Sequence, residues 1–533
     1  MLKSIFKNRK MKKQLLNTLN KIALYSLLIG ITASCSNENY GDDFNKDQYG
    51  IYSANYKSLL AGAIMNFGQN GGDRSNAYQM MPILFSQYQS QVVYTTEQTY
   101  GDTPGAWGRF YANQIINLNE IISAYSNNPS PEILLQGSAE NMIGVSKIFR
   151  AIIMKRLTDT YGDAPFSEAT KATSDIFLPK YDTQKTIYEG IISDLKSGRD
   201  MLNTTSTRPE GDILYYGDLN KWKKLANSVL LQATLQLSKK YPSATGYAAT
   251  EFNSALSNSA GVIEKVSDEA WFTISPGNSY PNPLSDFRPA DYRISRELVE
   301  SMKGSGNAFN RTSNHTPDTR LTLYANSGTM SAVGLPYGYN SNDLAAAGYS
   351  TAGVTTISVK FRSNSSAINL MTAGYTYLNR AEAAAKGWTG EAVTNMLTQG
   401  IILNYNTLDT HYVLNTDAYS STNPFGGTKI TPNAAAYASA RAADIATFGA
   451  ERVIGEEKWI ALFMNGFDAW AEFRRTGYPA LLPAPSAVNG GVIPRRLRYP
   501  IEEVNFNNSN YLKGVQGLMP AEDKNTSKVW WDQ

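Results

Sequence analysis

The apolar positions of the chain recur mostly at helical spacing. From Trp222 they fall at Leu225, Ala226, Val229, Leu230, Ala233 and Leu237, the i, i+3, i+4, i+7 stripe of an amphipathic helix. The same period runs through Met142, Val145, Phe149, Ile152 and Ile153, through Ile187, Ile191, Ile192 and Leu195, and through Ala373, Tyr377, Leu378, Ala381, Ala384 and Ala385. A further stripe, Trp459, Leu462, Phe463, Phe467, Trp470 and Phe473, reads as one continuous helix. Such stripes must be buried against one another, so the pattern predicts a scaffold of helical hairpins. No tandem repeat of consensus quality is visible, although the small and aromatic residues at the helix contacts are compatible with degenerate tetratricopeptide pairs.

Between the stripes lie stretches rich in Gly, Ser, Asn and Pro, chiefly residues 272–290, 303–365 and 413–435. Loops longer than about 15 residues are uncommon in a compact domain unless they carry function or local structure. The ligand surface is therefore expected on them.

The amino terminus follows a different pattern. Seven basic residues and no acid precede residue 35, and the apolar run Ile22 to Ile31 follows the last of them, Lys21. That arrangement predicts a signal peptide over residues 1–34. Ten apolar residues are too few to span a hydrocarbon core that needs about 20 residues of helix. Thr32-Ala33-Ser34-Cys35 then resembles a bacterial lipobox, with Thr32 where Leu is usual, and Met11 offers a second possible start. Cys35 is the only cysteine. An inert buried thiol is the alternative reading, but at the junction with the polar stretch Ser36 to Gly50 it has no core to enter, so Cys35 is read as the lipidation site. Residues 35–50 read as a flexible tether, and residues 51–533 as a single binding domain. Within and just beyond the tether, Asp43, Asn45 and Asp47 match the start of an EF-hand loop, but Gln48 stands where Gly is required and Ala54 where the bidentate Glu should fall.

Cleavage before Cys35 changes the charge argument. Of the 49 basic residues 42 remain, against 46 acidic ones. The mature chain is mildly acidic, and nothing in it argues for nucleic acid or anionic lipid as a partner. Thirty-three Tyr with 18% charged residues suit an exported protein that binds neutral polar ligands.

Catalytic signatures are scarce. His315 and His411 are the only histidines, and no zincin, P-loop or nucleophile-elbow motif occurs. No cofactor or metal site is read, and the chain is expected not to be an enzyme. A pair of glycosidase carboxylates would be invisible among 46 acids, so an exported lipid-anchored glycosidase stays open, as does a purely structural subunit.

Several segments carry a specific resemblance. Arg156 to Glu168 (RLTDTYGDAPFSE), Trp107 to Tyr111 running into Asn117 and Asn119, Trp222 to Asn227, Asp318-Thr-Arg320-Leu321, Asn379 to Ala383 with Gly387-Trp388, Glu457 to Phe463, Trp470 to Pro479, and the ending Ile493 to Pro500 with Glu502, Glu503 and Trp530-Trp531-Asp532 resemble, in order, the motifs of the SusD/RagB family of outer-membrane nutrient-binding lipoproteins. The resemblance implies a mainly α fold of tetratricopeptide-like hairpins with long loop insertions and a few short strands. It also implies glycan as ligand, with peptide the alternative within the family, and a SusC-type TonB-dependent transporter as partner. Most of the motif residues read as scaffold. Tyr161 to Pro165 is a turn, Arg474 and Arg475 are expected to tie helix ends through carboxylates or carbonyls, and Trp222, Trp459 and Trp470 are expected in the core.

Glycans are held by rings lying against sugar faces, which requires exposed aromatics on a concave surface. The ligand-face loops are expected around residues 90–107, 271–290 and 325–365. The candidates are Tyr94, Tyr100 and Trp107 around Gly101 to Gly105, Trp271 and Tyr280 at the Pro/Gly-rich stretch, and Tyr337 and Tyr339, with Tyr349 beyond, among glycines. For each the alternative is a ring packed back onto the domain. At Trp107, which begins a helical motif, packing is favoured.

Overall fold

The computed structural model describes residue 13 and residues 55–68, 77–273, 282–285, 288, 290–304, 316–414 and 425–533. Apart from residue 13, the predicted signal peptide lies outside these residues, as do the tether, Cys35, Tyr280, His315 and the Asp43 to Ala54 stretch. Among the described residues no helix is long and apolar enough to cross a membrane.

Helices dominate, and they fall into two packed series. In the first, the 23-residue helix Ala139–Tyr161 packs against Ile116–Ser126 on one side and Gln184–Met201 on the other. Leu219–Gln236 and Tyr247–Leu256 continue the stack. In the second, Ala373–Ala385 pairs with Val393–Tyr412, followed by Ala434–Phe448 and Ala450–Ala461. Gly466–Thr476 bridges the series, touching Ala450–Ala461, Ala139–Tyr161 and the early helix Ala77–Phe85.

Capping accounts for many of the boundaries. Thr183, Asp218, Ser295 and Thr372 each accept a hydrogen bond from a backbone N–H in the first turn of the helix that follows, which satisfies a donor that has no partner inside the helix. Gly162, at φ 96°, ends the longest helix, so the Tyr161 to Pro165 segment is the turn expected of it.

The principal hairpin of each series closes at a pair of glycines. A Cβ on Gly144 would sit 2.8 Å from the Gly198 carbonyl, and one on Gly198 would sit 2.7 Å from the Gly144 carbonyl. Gly374 and Gly400 meet in the same way, at 2.8 and 3.1 Å. Only residues without a side chain let these backbones approach so closely.

The stripe from Trp459 to Phe473 is not one helix. It is broken into Ala450–Ala461 and Gly466–Thr476 by a turn in which Met464 takes φ 66°. Gly466 packs so tightly on Ile83 that a Cβ would lie 2.5 Å from the Ile83 nitrogen. Both halves bury their apolar residues, so the helical period persists across a turn that the period itself does not reveal.

Trp222, Trp459, Trp470 and Trp531 are all buried. Around them run networks of buried charge. Arg475 binds Glu382 and Glu472, and Lys458 binds the same two carboxylates at 2.5 and 3.3 Å. Burial alone would raise the Glu382 carboxyl, but the Arg475 and Lys458 charges overcome it and hold the group well below the ordinary range. Arg474 donates instead to the carbonyls of Asp159 and Arg495, each at 2.7 Å. A second hub joins Arg320 to Asp318 at 2.8 Å and to Glu457 at 2.7 Å, and Glu457 also accepts from Arg441 at 2.7 Å. Arg474 and Arg475 thus take the tying role expected of them.

The four short strands, β1 (Gln89–Gln91), β2 (Ala270–Phe272), β3 (Tyr292–Ile294) and β4 (Ile368–Met371), form two antiparallel pairs, β1 with β3 and β2 with β4.

Candidate ligand face

The β1–β3 pair joins three loops. Val92 N–H donates to the Asp291 carbonyl at 2.7 Å, extending the ladder beyond Gln91. On the other side of β3, Leu335 N–H donates to Ile294 and Arg296 N–H donates to Leu335, so the segment leading to Tyr337 and Tyr339 lies alongside. Gln98 fastens the arrangement. Its amide donates to the carbonyls of Gln91 at 3.1 Å and Tyr339 at 2.7 Å. Ser341 Oγ donates to the Val92 carbonyl at 3.3 Å, and Ser486 N–H donates to Gly338. Residues 92–100, 290–296 and 335–349 therefore make one surface held by backbone and side-chain hydrogen bonds.

Tyr94 stands out from that surface with 65% of its area exposed and the Arg288 guanidinium 4.9 Å from its ring centroid. Its φ of 56° is uncommon for a bulky residue, and it swings the ring away from the domain. Tyr339 is half-buried and meets Tyr349, which is 38% exposed, edge to face at 5.7 Å. Arg296 lies over the Tyr349 ring at 5.4 Å and donates to its hydroxyl at 3.1 Å. Two tyrosine platforms, each steadied by an arginine, thus share one face.

Four other candidates lie in the interior. Tyr100 is fully buried, and its hydroxyl accepts from Ala484 N–H at 3.0 Å. Trp107 is enclosed by Tyr111, Tyr161, Tyr181 and Tyr499 at 5.2–5.9 Å. Trp271 stacks on His411 at 3.8 Å and donates its indole N–H to Glu269 at 2.9 Å. Tyr337 is also buried, with its ring 6.5 Å from that of Tyr100. A ring with both faces covered offers none to a sugar, so for Tyr100, Trp107, Trp271 and Tyr337 the packing reading replaces the stacking one.

The sequence reading missed Arg288 and Arg296. Isolated arginines in a loop carry no periodic signal, and only their approach to Tyr94 and Tyr349 gives them a role. Among the described residues no three His, Cys, Asp or Glu groups converge as a metal site. Burial pushes His411 down to about 4 and Glu269 up to about 7. Both lie beneath Trp271, not on the tyrosine face.

No curated protein sequence matches the chain. Among solved structures, a chitin-binding protein superposes with a TM-score of 0.73 at 25% identity, over 90% of this chain and all of that one. A SusD homologue from Bacteroides fragilis gives 0.73 at 19% identity, over 90% and 100%. A chitin-binding SusD homologue from Flavobacterium johnsoniae gives 0.67 at 21%, over 90% and 99%. Residues 45–500 match the SusD-like family described as starch-binding and associating with the outer membrane. That match covers most of the chain, which therefore belongs to the SusD-like family of outer-membrane-associated, starch-binding proteins.

Proposed function

We propose that this protein is a non-catalytic capture protein, held at the outer membrane by lipid on Cys35, that binds glycan on its tyrosine face and hands it to a SusC-type TonB-dependent transporter. Residues 1–34 would be removed on export, and residues 35–50 would keep the capture domain close to its transporter, so that local concentration substitutes for tight docking.

The observation that carries this reading is the convergence of Tyr94, Tyr339 and Tyr349 on one hydrogen-bonded surface. Exposed rings offer apolar faces to pyranose C–H groups. The amides and guanidinium groups beside them offer hydrogen bonds to hydroxyls. Two of the structural relatives are named for binding chitin, and the family for binding starch, which directs the first assays to chitin and starch oligosaccharides.

The test is incubation with oligosaccharide pools, with peptides in parallel. Saccharide affinity without product formation is the expected result. Turnover would replace the reading with the glycosidase one, and affinity for peptides alone would replace the ligand class. Membrane fractionation tests the anchor: Cys35→Ala should release the protein from the membrane with its affinity intact.

A further inference from the structure

A polar cavity opens in the scaffold where four helix ends meet. Ser238 and Lys239 follow Leu219–Gln236, Lys386 follows Ala373–Ala385, Arg475 lies in the last turn of Gly466–Thr476, and Glu451 lies in the first turn of Ala450–Ala461. The cavity therefore sits between the two helical series and beside the helix that bridges them. It offers about 140 Å³ to water-sized molecules. One water needs about 10–15 Å³ of such space, so a small polyatomic ion fits.

The wall is short of negative charge. Lys239, Lys386 and Arg475 line it against the carboxylates Glu382 and Glu451. The ion pairs that these groups make outside the wall bring in Lys458 with Glu472 and Arg495 with Asp532, which cancel. One positive charge is left in excess among the described residues. Burial holds Lys239 below the ordinary lysine value although Asp532 lies 2.8 Å away. The neighbouring Arg474, which donates only to backbone carbonyls, is pushed by burial down to about 9. Both shifts have the direction of a cation whose charge is incompletely answered.

Three donors on the wall have hydrogens to spare. Arg475 spends Nη1 and Nη2 on Glu382, Glu472 and Ser238, and its buried Nε has no bonded partner. A buried donor left in that state is costly. The Ser238 hydroxyl accepts from Arg475 at 3.2 Å and gives its own hydrogen to no acceptor among the described residues. Lys386 makes one hydrogen bond, to Glu451 at 3.3 Å, so two of its ammonium hydrogens remain.

We infer that this cavity is an anion site that takes one small tetrahedral oxyanion of the phosphate or sulfate class on Arg475, Ser238 and Lys386. Such an ion answers the excess charge and accepts from all three donors through charge-assisted hydrogen bonds. The carboxylates leave room for it, because Glu382 is covered by Arg475 and Lys458 and Glu451 stands at the rim with its side chain 65% exposed. Bound there, the ion ties Ser238 of the first series to Lys386 of the second through the bridging helix. The site is independent of the tyrosine face and of what that face binds.

The test is titration calorimetry of the purified protein with sodium phosphate and, separately, sodium sulfate, in chloride buffer at fixed ionic strength. Wild type is compared with Lys386→Met, Ser238→Ala and Tyr94→Ala, and the melting temperature of each is followed against anion concentration. One saturable site per chain is expected in the wild type and in Tyr94→Ala for at least one of the two anions, with a melting temperature that rises as the site fills. Lys386→Met should weaken binding about tenfold or more, and Ser238→Ala about threefold. Should Lys386→Met fail to fold, Ser238→Ala decides. Stabilisation that never saturates, or that is the same in wild type and in the folded variants, is the general effect of salts excluded from protein surface and would overturn the site, as would the absence of any binding heat with either anion.

Discussion

The two halves of the molecule are built from the same residue types used in opposite ways. In the scaffold, Tyr and Arg are buried together with carboxylates. Arg320 lies 5.0 and 5.2 Å from the rings of Tyr405 and Tyr437 while binding Asp318 and Glu457. On the candidate ligand face the same pairing recurs in the open, with Arg288 on Tyr94 and Arg296 on Tyr349. The buried pair fixes the fold, and the exposed pair leaves ring faces to solvent. The family motifs fall on the buried side: Arg320, Glu382, Glu457 and Arg475 each belong to a matched segment and each sits in a charge network. Resemblance therefore identifies the scaffold and leaves the ligand chemistry to the loops.

The largest effect should come from breaking the scaffold side. Arg475→Met removes a partner from Glu382 and Glu472, both buried, and such a loss costs about 3–5 kcal/mol. Chemical denaturation should show it, while the protein that remains folded keeps its saccharide affinity. A stability loss below about 1 kcal/mol would mean that Lys458 alone compensates the two carboxylates.

The pH dependence of stability sharpens the same contrast through two groups that lie under Trp271. Glu269 is raised from 4.5 to about 7, so the folded state holds an extra proton between those values, and its contribution to stability falls as pH rises through that window. His411 is lowered from 6.5 to about 4, so the unfolded state holds the extra proton, and stability rises with pH from about 4 to 6.5. The two oppose each other over most of the range. Relative to wild type, Glu269→Gln should therefore expose a rise and His411→Phe a fall, each on the order of 3 kcal/mol across its window. Parallel pH profiles for all three proteins would refute the pairing.

The glycine crossings come next. Gly400→Val forces a side chain onto Leu378, whose Cγ would lie 2.9 Å from the new Cβ, and should cost about 1–3 kcal/mol of stability. Tyr94→Ala should have the smallest effect on stability, within about 0.5 kcal/mol, with its effect confined to binding.

The same contrast explains what could be read from the sequence. The Trp222 stripe announces its helix because burial on one side of a helix forces a period, and the period survives without any knowledge of the partner. Gly144, Gly198, Gly374 and Gly400 carry no such announcement, since a glycine within a helical stripe reads only as a local penalty. The loops are less legible still. Tyr94 and Tyr100 lie six residues apart in similar surroundings, yet one is exposed and the other buried. What separates them is Ala484 N–H, which the Tyr100 hydroxyl receives from a distant part of the chain, and no local pattern encodes that contact. Of the candidate rings, Tyr100, Trp107, Trp271 and Tyr337 are buried and Tyr94 is exposed, a division that no local pattern announces.

The central claim, that ligand recognition resides on exposed tyrosines separate from the scaffold, is tested most directly by the saccharide affinity of Tyr94→Ala/Tyr349→Ala measured beside its melting temperature. Loss of two stacking platforms at about 0.5–1.5 kcal/mol each should weaken saccharide binding by roughly five- to a hundredfold with the melting temperature unchanged. Unaltered affinity in a fully folded double variant would contradict it.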